Sequence, residues 1–231
     1  MIPCISVENM RLSDAYTIEH LVPSLELMRR AARGVYLAHR WTAPVAIVAG
    51  SGNNGGDGFA LACILKEQGI GCTVFTLSSR FSADSGFYAG KAEELGVCVM
   101  PFAPGCLQGF AVVVDCLLGT GFQGGVRENY RAAIEQINAS GAFVVSVDIN
   151  SGMNGDTGDC DIAVRSDLTV TIGFVKQGLV APNAGHYMKR LVCADIGITL
   201  VHQEQTISLQ PREGCIPCPQ WLDLNIIDAV S

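Results

Sequence analysis

Three short segments of the chain combine an aspartate with glycines and small polar residues, and the first of them has the composition of an anion-binding loop. The first segment, residues 50–58, reads Gly-Ser-Gly-Asn-Asn-Gly-Gly-Asp-Gly and follows an apolar run at residues 45–49. A helical pattern begins directly after it. A strand, a loop of bare amides and a helix N-terminus together favour a phosphate, because the N–H groups and the helix dipole both attract negative charge.

Glycines at positions 50, 52 and 55 also satisfy the dinucleotide-binding spacing G-x-G-x-x-G. The alternative explanation is a tight turn that needs positive φ, although such a turn would not require two asparagines and an aspartate as well. An ordinary NAD-binding domain also places an acidic residue at the end of its second strand. Residues 76–80, at and after the end of that strand here, contain no acid, and Arg80 among them could face a 2′-phosphate or simply lie exposed. A hydride-transferring enzyme is therefore disfavoured.

The other two segments begin at Asp115 and Asp148, each after an apolar run and each followed by glycine. The carboxyl ends of parallel strands meet at one rim, so we expect all three segments to share a site. One such aspartate alone could be a turn-former or an N-cap. The side-chain oxygens of Asn54, Asp115 and Ser151 suit a hard, weakly demanding cation and argue against zinc.

The elements that must position these segments follow an alternating pattern. We predict strands at residues 45–49, 72–77, 97–100, 110–115, 143–148, 168–172 and 190–194, and helices at 56–68, 82–95 and 128–140. Continuous apolar strands alternating with helices indicate a parallel sheet covered on both faces. The length of 231 residues suits one α/β domain, which we place at residues 1–200.

The two ends of the chain give weaker signals. Residues 7–40 are predicted to form a helical lead-in with no preceding strand, in which Ser13 caps a short helix through residue 20. Residues 201–231 are predicted to be an extension or a linker remnant, because Pro211, Pro217 and Pro219 interrupt them.

Composition excludes several classes of partner. A net charge of −7 gives no electrostatic help toward nucleic acid or a membrane surface. No apolar run approaches the ~20 residues of a membrane span, and the first residues lack a secretory signal. Most of the ten cysteines sit in apolar stretches, so we interpret them as small core residues in a reducing cytoplasm.

The three segments resemble the YjeF N-terminal domain family, the NAD(P)H-hydrate epimerases. That family's pattern is Gly-x-Gly-Asn-Asn-Gly-Gly-Asp-Gly, then Asp-x-Leu-x-Gly-Thr-Gly, then Val-Asp-Ile-Pro-Ser-Gly, matched here at residues 50–58, 115–121 and 147–152. The resemblance covers roughly residues 8–198. It fails at two positions, because Asn150 replaces the proline and Arg29 stands where the family usually has glutamate.

The resemblance implies a Rossmann-like three-layer α-β-α sandwich with a mostly parallel sheet, usually a homodimer. It implies epimerisation at C6 of hydrated NADH and NADPH, called NADHX and NADPHX, with a potassium ion held by Asn54, Asp115 and Ser151. The substrate contacts it implies are Asn53, Asn54, Gly55, Gly56, Asp57, Gly119, Thr120, Gly121, Phe122, Gln123, Gly124, Gly125 and Asp148.

A mechanism follows from the chemistry of that substrate. The C6 hydroxyl is on a carbon bonded to the ring nitrogen, whose lone pair can expel it once an acid protonates the oxygen. The planar iminium then accepts water on either face, which requires proton carriers and positioning but no redox partner. Asp148 is the predicted acid/base and Asp57 positions the substrate or assists. Lys176 either tunes the charge or is a surface lysine.

Two expectations about partners remain. Many bacterial relatives continue into a dehydratase domain, and none follows here, so we expect the second repair step to come from a separate NAD(P)HX dehydratase or from a missing part of the chain. The alternative function is a non-catalytic nucleotide-binding or scaffold module of the same fold. The presence of all three site aspartates favours the enzyme.

Overall fold

The computed structural model describes residues 1–208, 210 and 212–230. Twelve strands and five helices are assigned in this part of the chain, together with two 3₁₀ turns at Gln177–Val180 and Pro182–His186. In chain order they are β1 (Ile2–Ile5), α1 (Val7–His20), α2 (Ser24–Ala38), β2 (Val45–Ala49), α3 (Asn53–Glu67), β3 (Cys72–Thr76), α4 (Ala83–Glu94), β4 (Cys98–Pro101), β5 (Val112–Cys116), α5 (Glu128–Asn138), β6 (Phe143–Val147), β7 (Leu168–Ile172), β8 (Val175–Lys176), β9 (Arg190–Asp195), β10 (Gln205–Ser208), β11 (Ile216–Pro217) and β12 (Asp223–Asp228).

Eight of these strands form one sheet in the order β12-β9-β7-β6-β5-β2-β3-β4, and every neighbouring pair is parallel. The centre of the sheet is apolar on both faces. Along β2, Val45, Ile47 and Ala49 pack with α2, α3 and α4, while Ala46 and Val48 pack with α5. A strand buried on both faces must be apolar at every position. The predicted three-layer α/β fold is confirmed.

The sheet order reverses direction between β2 and β5, because the chain first adds β3 and β4 on one side and then β5 and β6 on the other. In an open parallel sheet the crevice at the carboxyl ends of such strands is the usual place for a ligand. The loops that follow β2 and β5 therefore flank the expected site.

The N-terminal segment differs from its prediction in two ways. A strand, β1, precedes the helices and joins a second sheet in the order β11-β10-β1-β8. Helix α1 then begins at Val7, capped by the Ser6 hydroxyl, which accepts a hydrogen bond from the Asn9 N–H. The prediction that Ser13 caps a shorter helix is wrong. Ser13 is buried mid-helix, where its Oγ accepts from the Val201 N–H.

The C-terminal segment contributes to both sheets. Its last strand, β12, pairs in parallel with β9 over six residues at the edge of the main sheet. Strand β10 pairs antiparallel with β1. Pro211, one of the prolines used to predict an extension here, lies outside the described residues.

No helix in the described ranges has both the length and the apolar content that a membrane crossing requires.

Candidate active site

A cavity of about 660 Å³ opens at the carboxyl ends of β2, β5 and β6, with α1 and α2 contributing to its wall. Its size falls within the range of small-molecule and cofactor sites. Eleven of the residues predicted from the sequence line it: Asn53, Asn54, Asp57, Gly119, Thr120, Gly121, Phe122, Gln123, Gly125, Asp148 and Lys176.

Three predicted substrate-binding glycines do not line this cavity, namely Gly55, Gly56 and Gly124. Helix α3 starts three residues earlier than predicted, because the Gly56 N–H donates to the Gly52 carbonyl (3.3 Å) and closes its first turn. A Cβ on Gly55 would lie 2.2 Å from the Gly50 carbonyl oxygen. The glycine at position 55 therefore allows close packing of helix against loop, a role that needs no positive φ.

Asp148 directly follows β6 and is held from several sides. It is the single described residue other than glycine with positive φ (70°), an uncommon conformation that clusters at functional sites. Its Oδ1 accepts a hydrogen bond from the Lys176 Nζ (2.5 Å), and its Oδ2 accepts one from the Thr120 N–H (3.2 Å). The strand-end carboxyl is thus fixed in position and still reaches the cavity.

Lys176 is fully buried, so the alternative of a surface lysine is wrong. Its Nζ also donates to the Thr171 Oγ1 (3.0 Å) and to the Ile172 carbonyl (2.7 Å). Three acceptors, one of them the Asp148 carboxylate, satisfy the ammonium group that burial would otherwise penalise.

Asp57 is the fifth residue of α3, just past its first turn, and is half-buried. Burial raises the pKa of its carboxyl well above the ordinary value, and the negative charges of Asp148 and Asp14 raise it further, against a lowering effect of Lys176. The cavity thus places a carboxyl that favours its neutral form beside a carboxylate paired with lysine.

Sequence reasoning missed Asp14, a half-buried residue of α1 that also lines the cavity. Burial raises its pKa, the charge of Asp148 raises it further, and Lys176 lowers it. The available signal was helical spacing, because Met10, Asp14 and Ile18 recur every four residues and all three line the cavity. An acid between two apolar residues on one helix face marks a side chain that faces inward.

Asp115 and Ser151 lie behind the cavity wall and do not line it. The Asp115 carboxylate is fully buried and accepts four hydrogen bonds, from the Ser146 hydroxyl (2.9 Å), the Ser151 hydroxyl (2.5 Å), the Ser151 N–H (3.0 Å) and the Leu117 N–H (3.2 Å). Burial raises its pKa even though these hydrogen bonds lower it.

Asn54 joins this cluster through the Leu118 carbonyl, which accepts from the Asn54 Nδ2 (3.0 Å) and from the Ser151 hydroxyl (3.2 Å). The Asn54 Oδ1 is buried and has no hydrogen-bond partner among the described residues. A buried acceptor without a donor requires an explanation, and a cation satisfies it. Amide, carbonyl and hydroxyl oxygens beside one carboxylate fit a potassium ion at this place.

The two departures from the family pattern lie away from the cavity. The Asn150 side chain is buried, donating to the Val164 carbonyl (2.9 Å) and the Tyr187 carbonyl (2.9 Å), so it fixes neighbouring loops and adds no amide to the cavity wall. Arg29 pairs with Glu26 on the surface of α2 (2.7 Å). Arg80 is exposed and does not line the cavity.

An eight-stranded parallel sheet with a cavity where the strand order reverses places the protein among open-sheet α/β proteins with a small-molecule-sized cavity at their strand ends. A family model described as YjeF-related protein N-terminus matches residues 24–178, and the chain belongs to this family. The resemblance inferred from the three segments is therefore confirmed.

Curated relatives extend the similarity over most of the chain. An NAD(P)H-hydrate epimerase of Limosilactobacillus fermentum is 38% identical over 199 residues, which are 83% of this chain and 95% of that protein. A bifunctional NAD(P)H-hydrate repair enzyme Nnr of Coxiella burnetii is 32% identical over 82% of this chain and 40% of its own length. The solved structure of the yeast protein YNL200c has the same fold, with a TM-score of 0.69 and 21% identity over 80% of this chain and 86% of that one.

Proposed function

We propose that this protein interconverts the R and S forms of hydrated NADH and NADPH at C6 of the nicotinamide ring. The observation that carries the proposal is the Asp148–Lys176 pair, which presents a fixed carboxylate to the cavity. The Asp57 carboxyl, whose pKa is raised, lines the same cavity. Similarity to proteins named NAD(P)H-hydrate epimerases over most of the chain supports the substrate.

Two segments of the cavity wall are suited to the substrate's phosphates. The first turn of α3 offers backbone amides of Asn53 and Asn54 at the positive end of the helix dipole. The second segment includes Gly119, where a Cβ would lie 3.1 Å from Asp148 Oδ2 and 3.3 Å from Asn54 Cβ, so its backbone passes close to both residues. This close approach joins the phosphate-binding segment to the acid/base group.

In the proposed reaction Asp148 transfers a proton to or from the C6 oxygen, while the ring nitrogen supplies the electron pair that expels the hydroxyl. Lys176 orients the Asp148 carboxylate and compensates its charge, and Asp57 positions the ring or assists the transfer. A positioned acid/base group of this kind contributes about 10²–10⁴-fold to a rate.

We also propose that Asn54, Asp115 and Ser151 hold a potassium ion. The unpartnered Asn54 Oδ1 supports this assignment, since a buried amide oxygen without a donor is rare. When bound, the ion would offset negative charge beside the phosphates. Asp115 has all four of its hydrogen bonds filled, so its main contribution would be charge, and the open acceptor would be Asn54.

Three further proposals concern the protein's setting. Homodimer formation is supported by three exposed apolar residues, Tyr16 and Ile18 on α1 and Leu21 directly after it. A cytoplasmic location is supported by ten cysteines that are all free. Consumption of the product by an NAD(P)HX dehydratase is supported by the bifunctional repair enzymes among the relatives.

The test is to mix the protein with the purified R epimer of NADHX, and separately of NADPHX, and to follow the S epimer by chromatography. We expect S to form faster than in matched samples with heat-denatured protein, and faster in potassium chloride than in choline chloride. Spontaneous-rate conversion by a protein that still binds either epimer would instead support the non-catalytic binding module.

A further inference from the structure

Helix α1 is held against the rest of the chain by one polar face. Asn9, Ser13 and Thr17 are buried at four-residue spacing. The Asn9 Nδ2 donates to the His202 carbonyl (2.7 Å), and the hydroxyls of Ser13 and Thr17 accept from the N–H groups of residues 201 (3.1 Å) and 199 (3.0 Å). The cap is fixed as well, because Ser6 binds Glu204. A helix anchored in this way presents its neighbouring face in a fixed position.

That neighbouring face carries Asp14 into the cavity. No described residue donates a hydrogen bond to the Asp14 carboxyl, whereas Asp148 accepts from Lys176 and Thr120. Asp14 and Asp148 are near enough to influence one another electrostatically. Among the carboxyls that line the cavity, that of Asp148 is paired with a lysine and that of Asp14 is unpaired.

The two carboxyls also come from different parts of the fold. Asp148 and Asp57 belong to segments that follow strands of the main sheet, while Asp14 belongs to a helix that precedes that sheet in the chain. An epimerisation at C6 requires the hydroxyl to leave from one face of the ring and to return on the other. One carboxyl fixed on one side cannot serve both faces without moving, so the reaction calls for a second proton carrier.

We propose that Asp14 is this second proton carrier, serving the face of the nicotinamide ring opposite Asp148. The inference rests on the proposed function and adds a catalytic residue to it. Asp57 is less suited, because it follows a strand of the main sheet, as Asp148 does, and lies close to the α3 N-terminus whose amides are proposed to hold the phosphates. The raised pKa of Asp14 agrees with a carboxyl that carries a proton to donate.

The step balances without an external reagent. The protonated Asp14 gives its proton to the C6 hydroxyl, the C6–O bond breaks, water departs, and the ring-nitrogen lone pair forms the iminium. Water then attacks C6 on the other face, a new C6–O bond forms, its proton passes to the Asp148 carboxylate, and the iminium electrons return to nitrogen. Asp14 is left ionised and Asp148 protonated, the starting state for the reverse conversion, and exchange with solvent restores the first state.

The experiment compares wild type, Asp14→Asn, Asp14→Ala and the control Glu19→Gln, which removes an exposed carboxylate from the same helix. Each is assayed for R-to-S conversion of NADHX, with folding checked by thermal melting. We expect Asp14→Asn to lower kcat by about 100-fold or more with KM nearly unchanged, and Glu19→Gln to behave as wild type. Formate, a small carboxylic acid, is expected to restore part of the rate to Asp14→Ala.

The outcomes separate the two proposals. If wild type fails to accelerate conversion, the proposed function and this inference both fall. If wild type is active and Asp14→Asn keeps its kcat within about threefold, the proposed function stands and Asp14 is not a proton carrier. A loss of rate that formate does not relieve in Asp14→Ala, with KM rising in parallel, would assign Asp14 to positioning and also overturn the inference. Should Asp14→Asn fail to fold, the formate response of Asp14→Ala decides.

Discussion

Asp115 and Asp148 stand at the ends of neighbouring strands, β5 and β6, and have opposite surroundings. Asp115 is fully buried and accepts hydrogen bonds from neutral groups alone, two hydroxyls and two amides. Asp148 reaches the cavity and is paired with a buried lysine. Two residues of the same type, at the carboxyl ends of adjacent strands, are thus suited to different roles.

The difference arises from what each neighbouring strand presents. Asp115 is still within β5, where its register partner on β6 is Ser146, which supplies one of its hydrogen bonds. Asp148 lies just beyond β6 in the left-handed region, and its partner is Lys176 of β8, across β7. Neutral donors bind a carboxylate in a closed structural cluster, whereas one ammonium partner orients it and leaves it accessible for proton transfer.

The largest expected effect is on activity and concerns Asp148, the aspartate that reaches the cavity. Asp148→Asn keeps the shape and the contact with Thr120 but cannot carry a proton. We expect kcat for R-to-S conversion to fall by about 10³-fold, equivalent to about 4 kcal/mol in the activation barrier, with KM within a few-fold of wild type. Steady-state kinetics measured by chromatography would settle the matter. Turnover within about tenfold of wild type would remove Asp148 from the reaction.

For the buried aspartate, Asp115, we expect substitution to lower the stability of the fold. Asp115→Ala leaves the hydroxyl of Ser146 and the N–H groups of Leu117 and Ser151 without their acceptor. We expect the free energy of unfolding, measured in urea, to fall by about 3 kcal/mol, because unsatisfied buried donors are costly. The control, Asp14→Ala in the same assay, should lose less if the cost comes from unsatisfied buried donors, because no described group donates a hydrogen bond to the Asp14 carboxyl. An equal loss in both variants would contradict this explanation.

A third prediction concerns the potassium ion proposed to bind beside Asp115. In wild type, potassium at ten times its dissociation constant should stabilise the fold by about 1.4 kcal/mol over choline at equal ionic strength. Asn54→Ala removes the unpartnered buried oxygen, so we expect this response to disappear. Thermal melting in the two salts measures it, with the exposed Asn225→Ala as a control that should keep the response. Survival of the response in Asn54→Ala would place the ion elsewhere.

Much of this architecture could be predicted from the sequence, because its signals are local. Continuous apolar runs are a sufficient signal for strands buried on both faces, and β2, β3 and β7 lie within one residue of their predicted positions. Strand-end aspartates followed by glycines likewise located Asp115 and Asp148. Strand β12 gave a weaker signal, since it lies at an edge where exposed and buried residues mix.

Contacts between distant parts of the chain could not be predicted in the same way. The burial of Lys176 depends on β8 joining β1, a pairing of two- and four-residue strands with little pattern of their own. Asp14 was missed because α1 was interpreted as a lead-in, and its role as a cavity wall depends on hydrogen bonds to residues nearly 200 positions away. Such long-range contacts depend on the whole fold, so local sequence patterns do not predict them.

The smallest expected effect concerns Asp57, which is neither held by neutral donors, as Asp115 is, nor paired with a lysine, as Asp148 is. No described group donates a hydrogen bond to its carboxyl, and burial together with Asp148 and Asp14 raises its pKa in the folded state. A raised carboxyl pKa means that folding stability is fully present below the ordinary value of about 3.9 and declines as pH rises through the folded-state pKa.

Asp57→Asn removes that decline. At pH 7 we expect the variant to be more stable than wild type by about 1 kcal/mol, or about 2–4 °C in Tm for a chain of this size, with the advantage vanishing as the pH is lowered toward 4. Melting curves from pH 4 to pH 8 provide the measurement. If the variant is less stable at every pH, Asp57 is held by favourable interactions as Asp115 is. A gain that grows with pH would show instead that this carboxyl is kept at a cost in stability, as expected of a residue retained for its part in the reaction.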